Sequence, residues 1–267
     1  MQQAEHNKSG FAEKAVSSRG LTGRIDANRL YAKNDFNLWV AGLLDKIDFL
    51  SVLDVCCGTG NQLVLYAARP KVARIVGLDV SKDALAAANE RLSKINSRAS
   101  IELREGRMED IPAMPGLKSE KFGLASCFYG LYYAKTPVKT LNDIMARVSE
   151  DGTVLIVGPY GGNNASLFSL LNRHFTMPEL ITRSSTTFMN KEVYPALKAG
   201  CIVEEERFVN PIIYPDAEAL LNYWRASTFY FAEHEDAVRR DIEDHFSAHK
   251  EFIVEKHVKA YIGRRKK

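Results

Sequence analysis

From about residue 49 onward, short β-branched or apolar runs alternate with longer segments whose apolar residues recur at helical spacing. That alternation is the mark of βαβ units, and it restricts the chain to an α/β architecture around a mostly parallel sheet. Residues 50–55 form the first strand run. Leu63, Val64 and Ala67 then give a short helix an apolar face, and residues 75–78 make a second strand. Ser81 is placed to cap a helix with Asp83 in its first turn and Leu85, Ala88, Leu92 and Ile95 on one side. Ile101 and Leu103 alternate with polar residues, and residues 122–128 read as a fourth strand. Pro137 opens a helix lined by Val138, Leu141, Ile144, Met145 and Val148. Asp151-Gly152 turns into a fifth strand, residues 153–157, and segments 201–208 and 252–262 read as sheet edges.

Two stretches are surplus to this sheet, residues 160–188 and 210–250, and they read as a cap. In the second, Asp216 is placed to cap a helix carrying Ala219, Leu220, Tyr223 and Trp224. Leu30, Phe36, Leu38, Trp39, Leu43 and Leu44 suggest helical packing before the first strand. The expected division is an N-terminal helical segment, residues 1–48, followed by one domain, residues 49–267, with cap insertions at about 160–188 and 210–250.

Composition narrows the setting. The chain has 267 residues, 46% hydrophobic and 26% charged, which suits a globular protein and not a disordered or fibrous one. No apolar run approaches the roughly 20 residues of a bilayer span, and the first residues are polar. The four cysteines match neither a disulfide framework nor a zinc spacing, so no metal site is expected and a cytoplasmic location is. A net charge of +3 does not demand a polyanionic partner. The exception is the basic tail, Arg264, Arg265, Lys266 and Lys267, which reads first as a solvated terminus.

The stretch V-L-D-V-C-C-G-T-G, residues 52–60, carries the chemistry. It sets Asp54 near the carboxyl end of the first strand and puts Gly58 and Gly60 in the turn to the first helix. Ligands of open parallel sheets bind at that end of the strands. A dinucleotide fingerprint would need a third glycine where this chain has Leu63, and no G-K-[ST] follows for a phosphate loop. Asp79, ending the second strand, can accept from both hydroxyls of a ribose. Asp54 beside the loop would repel a pyrophosphate yet suit a cationic amino group. Each acid taken alone can also be read as a turn cap.

Residues 52–60, 77–79, 106–112 and 128–133 together resemble the class I S-adenosylmethionine-dependent methyltransferases, in the flavour of the ubiquinone- and menaquinone-biosynthesis enzymes and their small-molecule relatives. The resemblance covers roughly residues 49–160 and does not extend to the cap. It implies a Rossmann-like fold, with a mostly parallel seven-stranded sheet, helices on both faces and a helical cap. It implies S-adenosyl-L-methionine as cofactor, in-line displacement, and a small-molecule acceptor in place of nucleic acid. Oligomeric state is left open.

Carried over by position, Asp54 and the backbone of Cys56, Gly58 and Gly60 would hold the methionine end. Asp79 would hold the ribose, Val80 and Met108 would flank the adenine, and Phe128 would stand beside the cofactor. Many relatives place aspartate where this chain has Arg107, so Glu109 or Asp110 is left to supply that acceptor. Tyr132, Tyr133, Tyr160 and His174 lie at or beyond the expected carboxyl edge and are the candidates for a general base, with packing as the plainer role of each. Residues 160–164 read as a substrate-side loop. Two other readings stay open: an RNA or protein methyltransferase using the basic tail, and a non-catalytic binding protein on the same scaffold.

Overall fold

The computed structural model describes residues 29–266, so residues 1–28 of the expected N-terminal segment, and Lys267, lie outside the described residues. Every strand run of the sequence becomes a strand: β1 (Ser51–Val55), β2 (Arg74–Asp79), β3 (Ser100–Glu105), β4 (Phe122–Phe128), β5 (Val148–Pro159), β6 (Cys201–Tyr214) and β7 (Phe252–Arg265). They build one seven-stranded sheet in the order β3-β2-β1-β4-β5-β7-β6. The first five pair in parallel, whereas β7 runs antiparallel to both β5 and β6, so the sheet is mixed. Strand order reverses between β1 and β4, and the loops leaving these two strands therefore diverge and open a crevice at their carboxyl ends.

Helices α1 (Phe36–Asp45), α2 (Asn61–Ala67), α3 (Lys82–Leu92) and α4 (Pro137–Met145) flank the sheet. Adjacent strand residues point to opposite faces, as the pleat requires. Val52, Ile75 and Leu155 join Val40 of α1, Leu63 of α2 and Ala88 of α3 on one side. Leu53, Val76 and Ile156 join Leu141 and Ile144 of α4 on the other. Both faces are buried, which explains why these strands read as continuous apolar runs. The Ser81 hydroxyl accepts from Ala84 N at 3.3 Å at the start of α3, and Pro137 occupies the first turn of α4. Two residues expected on the face of α4 are elsewhere: Val138 is exposed and Val148 begins β5, because the helix stops at Met145.

The cap comprises α5 (Ala165–Leu171), α6 (Glu179–Thr186), α8 (Ala217–Ala226) and α9 (Glu235–Ala248), while α7 (Tyr194–Gly200) follows a π-helical turn and leads back into β6. β6 runs on to Tyr214, past residue 208 where the sequence placed the end of the strand and into the stretch from 210 that it gave to the cap. β5 covers β7 only from Val258 to Arg264, whereas the β6–β7 ladder extends out to Tyr214↔Phe252. The projecting ribbon is the floor of the cap. Ile212, Tyr214, Phe252 and Val254 pack with Leu167 and Leu171 of α5, Leu220 and Trp224 of α8, and Val238 and Ile242 of α9, in a cluster of their own. Pro211 fits this strand because its carbonyl still serves, accepting from Lys33 N at 3.0 Å. Among the described residues no helix is long and apolar enough to cross a membrane.

Candidate functional site

Between β1 and α2 the chain makes a tight turn with positive φ at Cys56 (60°), Gly58 (53°) and Gly60 (81°). At Gly60 a Cβ would lie 2.9 Å from that of Ala88, so glycine is required both by the dihedral and by the close passage of α3. The turn is tied to the neighbouring strand: Cys57 N donates to Leu78 O at 3.1 Å, and Gly58 N donates to Asp79 Oδ2 at 2.8 Å. The other oxygen of Asp79 accepts from Ser81 N at 2.9 Å. One carboxylate thus fixes both loops that frame the crevice. Leu63 is fully buried, and its Cδ1 occupies the space between Gly60 and Gly77. That packing fills the position where a dinucleotide motif would need glycine.

Asp54 is 1% exposed and lies beneath the turn, not on the crevice wall. Its Oδ1 accepts from Ser126 Oγ at 2.7 Å, and Ser126 accepts in turn from Tyr66 OH at 2.9 Å. Its Oδ2 has no hydrogen-bond partner among the described residues, nor does the buried Thr59 Oγ1 two residues before the second glycine's helix begins. Burial pushes the Asp54 carboxyl up to about 7; the Ser126 hydrogen bond offsets part of this, and the charge of Asp79 adds to it.

The crevice is a cavity of about 2060 Å³ that reaches from the glycine turn to the cap. This exceeds the roughly 300–1,000 Å³ of a pocket for one drug-sized ligand, so there is room for a cofactor and an acceptor together. Cys56, Gly58, Asp79, Val80, Met108 and Phe128 all line it, whereas Gly60 stands behind the turn against α3 and Asp54 below it. Val80 is 46% exposed, an apolar side chain presented to the cavity, and Cys56 Sγ lies 3.9 Å from Met108 Sδ. Arg107 also lines the cavity and pairs with Glu109 at 3.5 Å, and Glu109 accepts from Lys135 N at 3.0 Å, while Asp110 is off the wall.

The four candidate bases divide. Tyr132 and Tyr133 line the cavity, their rings 4.6 Å apart. Tyr160 does not: its ring lies against His257 and Lys259, which alternate with the cavity-facing Lys256 and Val258 and so stand on the opposite face of β7. His174 is also off the wall, its Nε2 held 2.9 Å from Asp241 of α9. Asn163 and Asn164 of the expected substrate-side loop do reach the cavity.

Sequence reasoning missed Tyr129, which follows β4 with φ 52° and lines the cavity. A bulky residue held in the left-handed region costs free energy and is characteristic of functional sites. The available signal was its place directly before Gly130 at a strand end in the crevice. Lys256, Tyr223 and the segment 32–37 also line the cavity from outside the motif region. The basic tail, in contrast, is bound to the body: Arg264 pairs with Glu204, Arg265 Nη2 donates to Met145 O at 3.1 Å, and Lys266 Nζ donates to Lys198 O at 2.8 Å.

Residues 52–152 match the family described as a methyltransferase domain, the span that contains the glycine turn, Asp79 and Phe128. The demethylmenaquinone methyltransferase of Lactococcus lactis is 24% identical over 230 residues, covering 82% of each chain. The 2-phytyl-1,4-naphtoquinone methyltransferase of Synechococcus elongatus is 23% identical over 68% of this chain and 72% of its own. Residues 52–152 are thus a methyltransferase domain, and the chain is an S-adenosylmethionine-dependent methyltransferase. The fold agrees: a methyltransferase from Geobacter sulfurreducens, solved with S-adenosyl-L-homocysteine, superposes with a TM-score of 0.55 at 16% identity, over 93% of this chain and 98% of that one.

The methyltransferase's own residues fit S-adenosylmethionine, its cofactor. The unpartnered Thr59 Oγ1 and Asp54 Oδ2 lie at the turn, where a polar amino-acid moiety would need partners. Asp79 presents a carboxylate and Val80 an exposed apolar surface to the same cavity, a pairing suited to a ribose and a purine face.

Proposed function

We propose that this methyltransferase methylates a small aromatic acceptor of the quinol type. The observation that carries the reading is the continuity of the cavity. Its floor is the glycine turn with Asp79, and its far wall is Phe208 of β6 together with cap surface at Ile212, Phe229 and Phe231. Such a wall suits a flat apolar ring better than a polyanion. The demethylmenaquinone and phytyl-naphthoquinone named in the relatives' activities are of this kind. The cofactor supplies a sulfonium methyl group, which is electrophilic, so the acceptor must bring an electron pair. The reduced, electron-rich hydroquinone meets that requirement and the oxidised ring does not.

In this reading Asp79 accepts from the ribose hydroxyls while keeping its bonds to Gly58 and Ser81, since a carboxylate has about four acceptor positions. Gly58, Cys56 and, through the shape of the turn, Gly60 hold the methionine end, with Asp54 placing negative charge beneath it. Val80 and Met108 flank the adenine, and Phe128 closes the site beside it. Tyr132 and Tyr133 are the remaining candidates for handling an acceptor proton. The protein's task is alignment of the two partners for in-line displacement and exclusion of water, which positioning alone accelerates strongly. The cap, residues 160–188 and 210–250, would supply acceptor choice within the single domain 49–267, and residues 1–48 its N-terminal flank.

Incubation with methyl-labelled S-adenosylmethionine and a demethylated naphthoquinol tests this. A labelled quinol heavier by one methylene is expected. Label appearing only in added RNA or protein would reject the quinol reading in favour of a macromolecular acceptor.

A further inference from the structure

Successive residues of a strand point to opposite faces of its sheet. Phe128 and Tyr129 depart from that alternation: both line the cavity, because the chain turns to φ 52° at Tyr129. The turn is held from two sides. Tyr129 N donates to Val157 O at 2.9 Å, which keeps its backbone on β5. Gly130, next in the chain, passes so close to the cofactor turn that a Cβ on it would lie 2.4 Å from that of Cys56. Strand pairing and turn together impose a conformation that a bulky side chain otherwise avoids.

The result is a ring presented to the cavity. Tyr129 is 36% exposed, yet burial inside the protein still pushes its phenol up from the ordinary value of 10, so the exposed surface faces the chamber and not bulk solvent. The ring meets Phe36 edge-on at 6.0 Å, and Phe36 meets Phe208 of β6 edge-on at 5.9 Å. Phe36 is itself fixed at the start of α1, where Asp35 accepts from Asn37 N at 2.8 Å and Leu38 N at 3.1 Å. Tyr129 and Tyr223 of the cap helix α8 are near enough for charge on one to disfavour charge on the other. Tyr129 therefore stands where the cofactor turn gives way to the cap.

We propose that Tyr129 is an acceptor-binding residue, whose ring packs against the flat ring of the methyl acceptor and aligns it with the cofactor. The inference rests on the quinol reading for the chemistry of the acceptor and adds a residue that selects it. An extended backbone at this position would send the side chain to the face opposite Phe128, so the left-handed conformation is what brings the ring into the chamber. Aromatic pairs contribute beyond the area they bury, and a ring already held in place by Phe36 contributes alignment as well as contact.

Calorimetry on the full chain saturated with S-adenosyl-L-homocysteine reads acceptor binding without methyl transfer, with naphthohydroquinone under reductant as the probe. Tyr129→Phe keeps the ring and should bind the probe within about twofold of the wild type. Tyr129→Gly removes the ring and should bind it roughly tenfold more weakly, as for one lost aromatic pair. Affinity for S-adenosyl-L-homocysteine should hold in both variants, and Tyr129→Gly should melt no lower than the wild type, because glycine adopts φ 52° without strain. A residue that merely packs would behave otherwise: Tyr129→Gly would then lower the melting temperature and both affinities together, which overturns the proposal. Hydroquinone binding that is undiminished in Tyr129→Gly, or absent from the wild type, overturns it too. A Tyr129-dependent affinity in a protein that transfers no methyl group to quinols would keep the site and reject the quinol acceptor. Transfer to quinols with an unchanged KM in Tyr129→Gly would do the reverse.

Discussion

The N–H of Gly58 donates to Asp79 Oδ2 at 2.8 Å, joining the turn after β1 to the end of β2. Asp79 is therefore both a wall of the cofactor site and the brace that shapes the turn. Its replacement by alanine removes acceptors for Gly58 and Ser81 as well as any ribose contact. Asp79→Ala should weaken S-adenosyl-L-homocysteine binding by about 1–3 kcal/mol. Asp79→Asn, which keeps one acceptor oxygen, should lose less. Titration calorimetry separates the two, and wild-type affinity in the alanine variant would remove Asp79 from the site.

A second close relationship in the crevice is purely steric. A Cβ on Gly130 would lie 2.4 Å from Cβ and 2.6 Å from Sγ of Cys56. Gly130→Ala should therefore destabilise by about 1–3 kcal/mol through overpacking. Cys56 has φ 60°, so Cys56→Gly removes the obstructing side chain and suits the backbone at once. The double variant should recover most of the melting temperature lost by Gly130→Ala. Additive or worse melting temperatures would show that the two residues do not meet.

Asp54 gives the fold a pH signature. Its carboxyl titrates near 7 in the folded chain against an ordinary value of 3.8, chiefly because it is buried. Between those values the folded state binds the proton and the unfolded state does not, so this group's contribution to stability is fully present below about 4 and is lost as pH rises towards 7. The span is at most about 4 kcal/mol. Asp54→Asn keeps an oxygen to accept from Ser126 and removes the titration. Denaturant unfolding from pH 4 to 7 should show the variant gaining on the wild type as pH rises, and parallel curves would contradict the assignment.

The sheet was legible because burial on both faces leaves a plain record in residue type: Val52, Leu53, Ile75 and Val76 read as strand with no knowledge of their partners. The turn was legible because Gly58 and Gly60 carry a backbone requirement. The cap was not. β6 continues through Asn210-Pro211, residues that normally end a strand, because its partner is the equally long β7, a pairing of distant segments that local composition does not encode. Tyr160 and His174 failed as wall residues for a similar reason. Sequence places them after β5, but the face of β7 that Tyr160 meets and the helix that holds His174 are set by register and packing. Lys256 went unnoticed because nothing in its local sequence distinguishes a cavity-facing side chain from its neighbours.

The separate core of the cap leads to the last prediction. Trp224 is fully buried among cap residues, its Nε1 donates to Phe229 O at 3.1 Å, and its ring meets Tyr230 edge-on at 5.0 Å. Trp224→Ala should cost about 3–5 kcal/mol locally. The cap's apolar cluster is distinct from the two that flank the sheet, so this loss should appear as opening of α8, α9 and the outer β6–β7 ribbon while the glycine turn stays formed. Hydrogen exchange should then show protection falling in residues 209–257 and holding in β1, β2 and β4. Because Asn164, Tyr223 and Lys256 hang on that ribbon and its helices whereas Asp79 does not, acceptor turnover should fall by a much larger factor than cofactor affinity. Equal losses of both, with uniform deprotection, would mean that cap and sheet unfold as one unit.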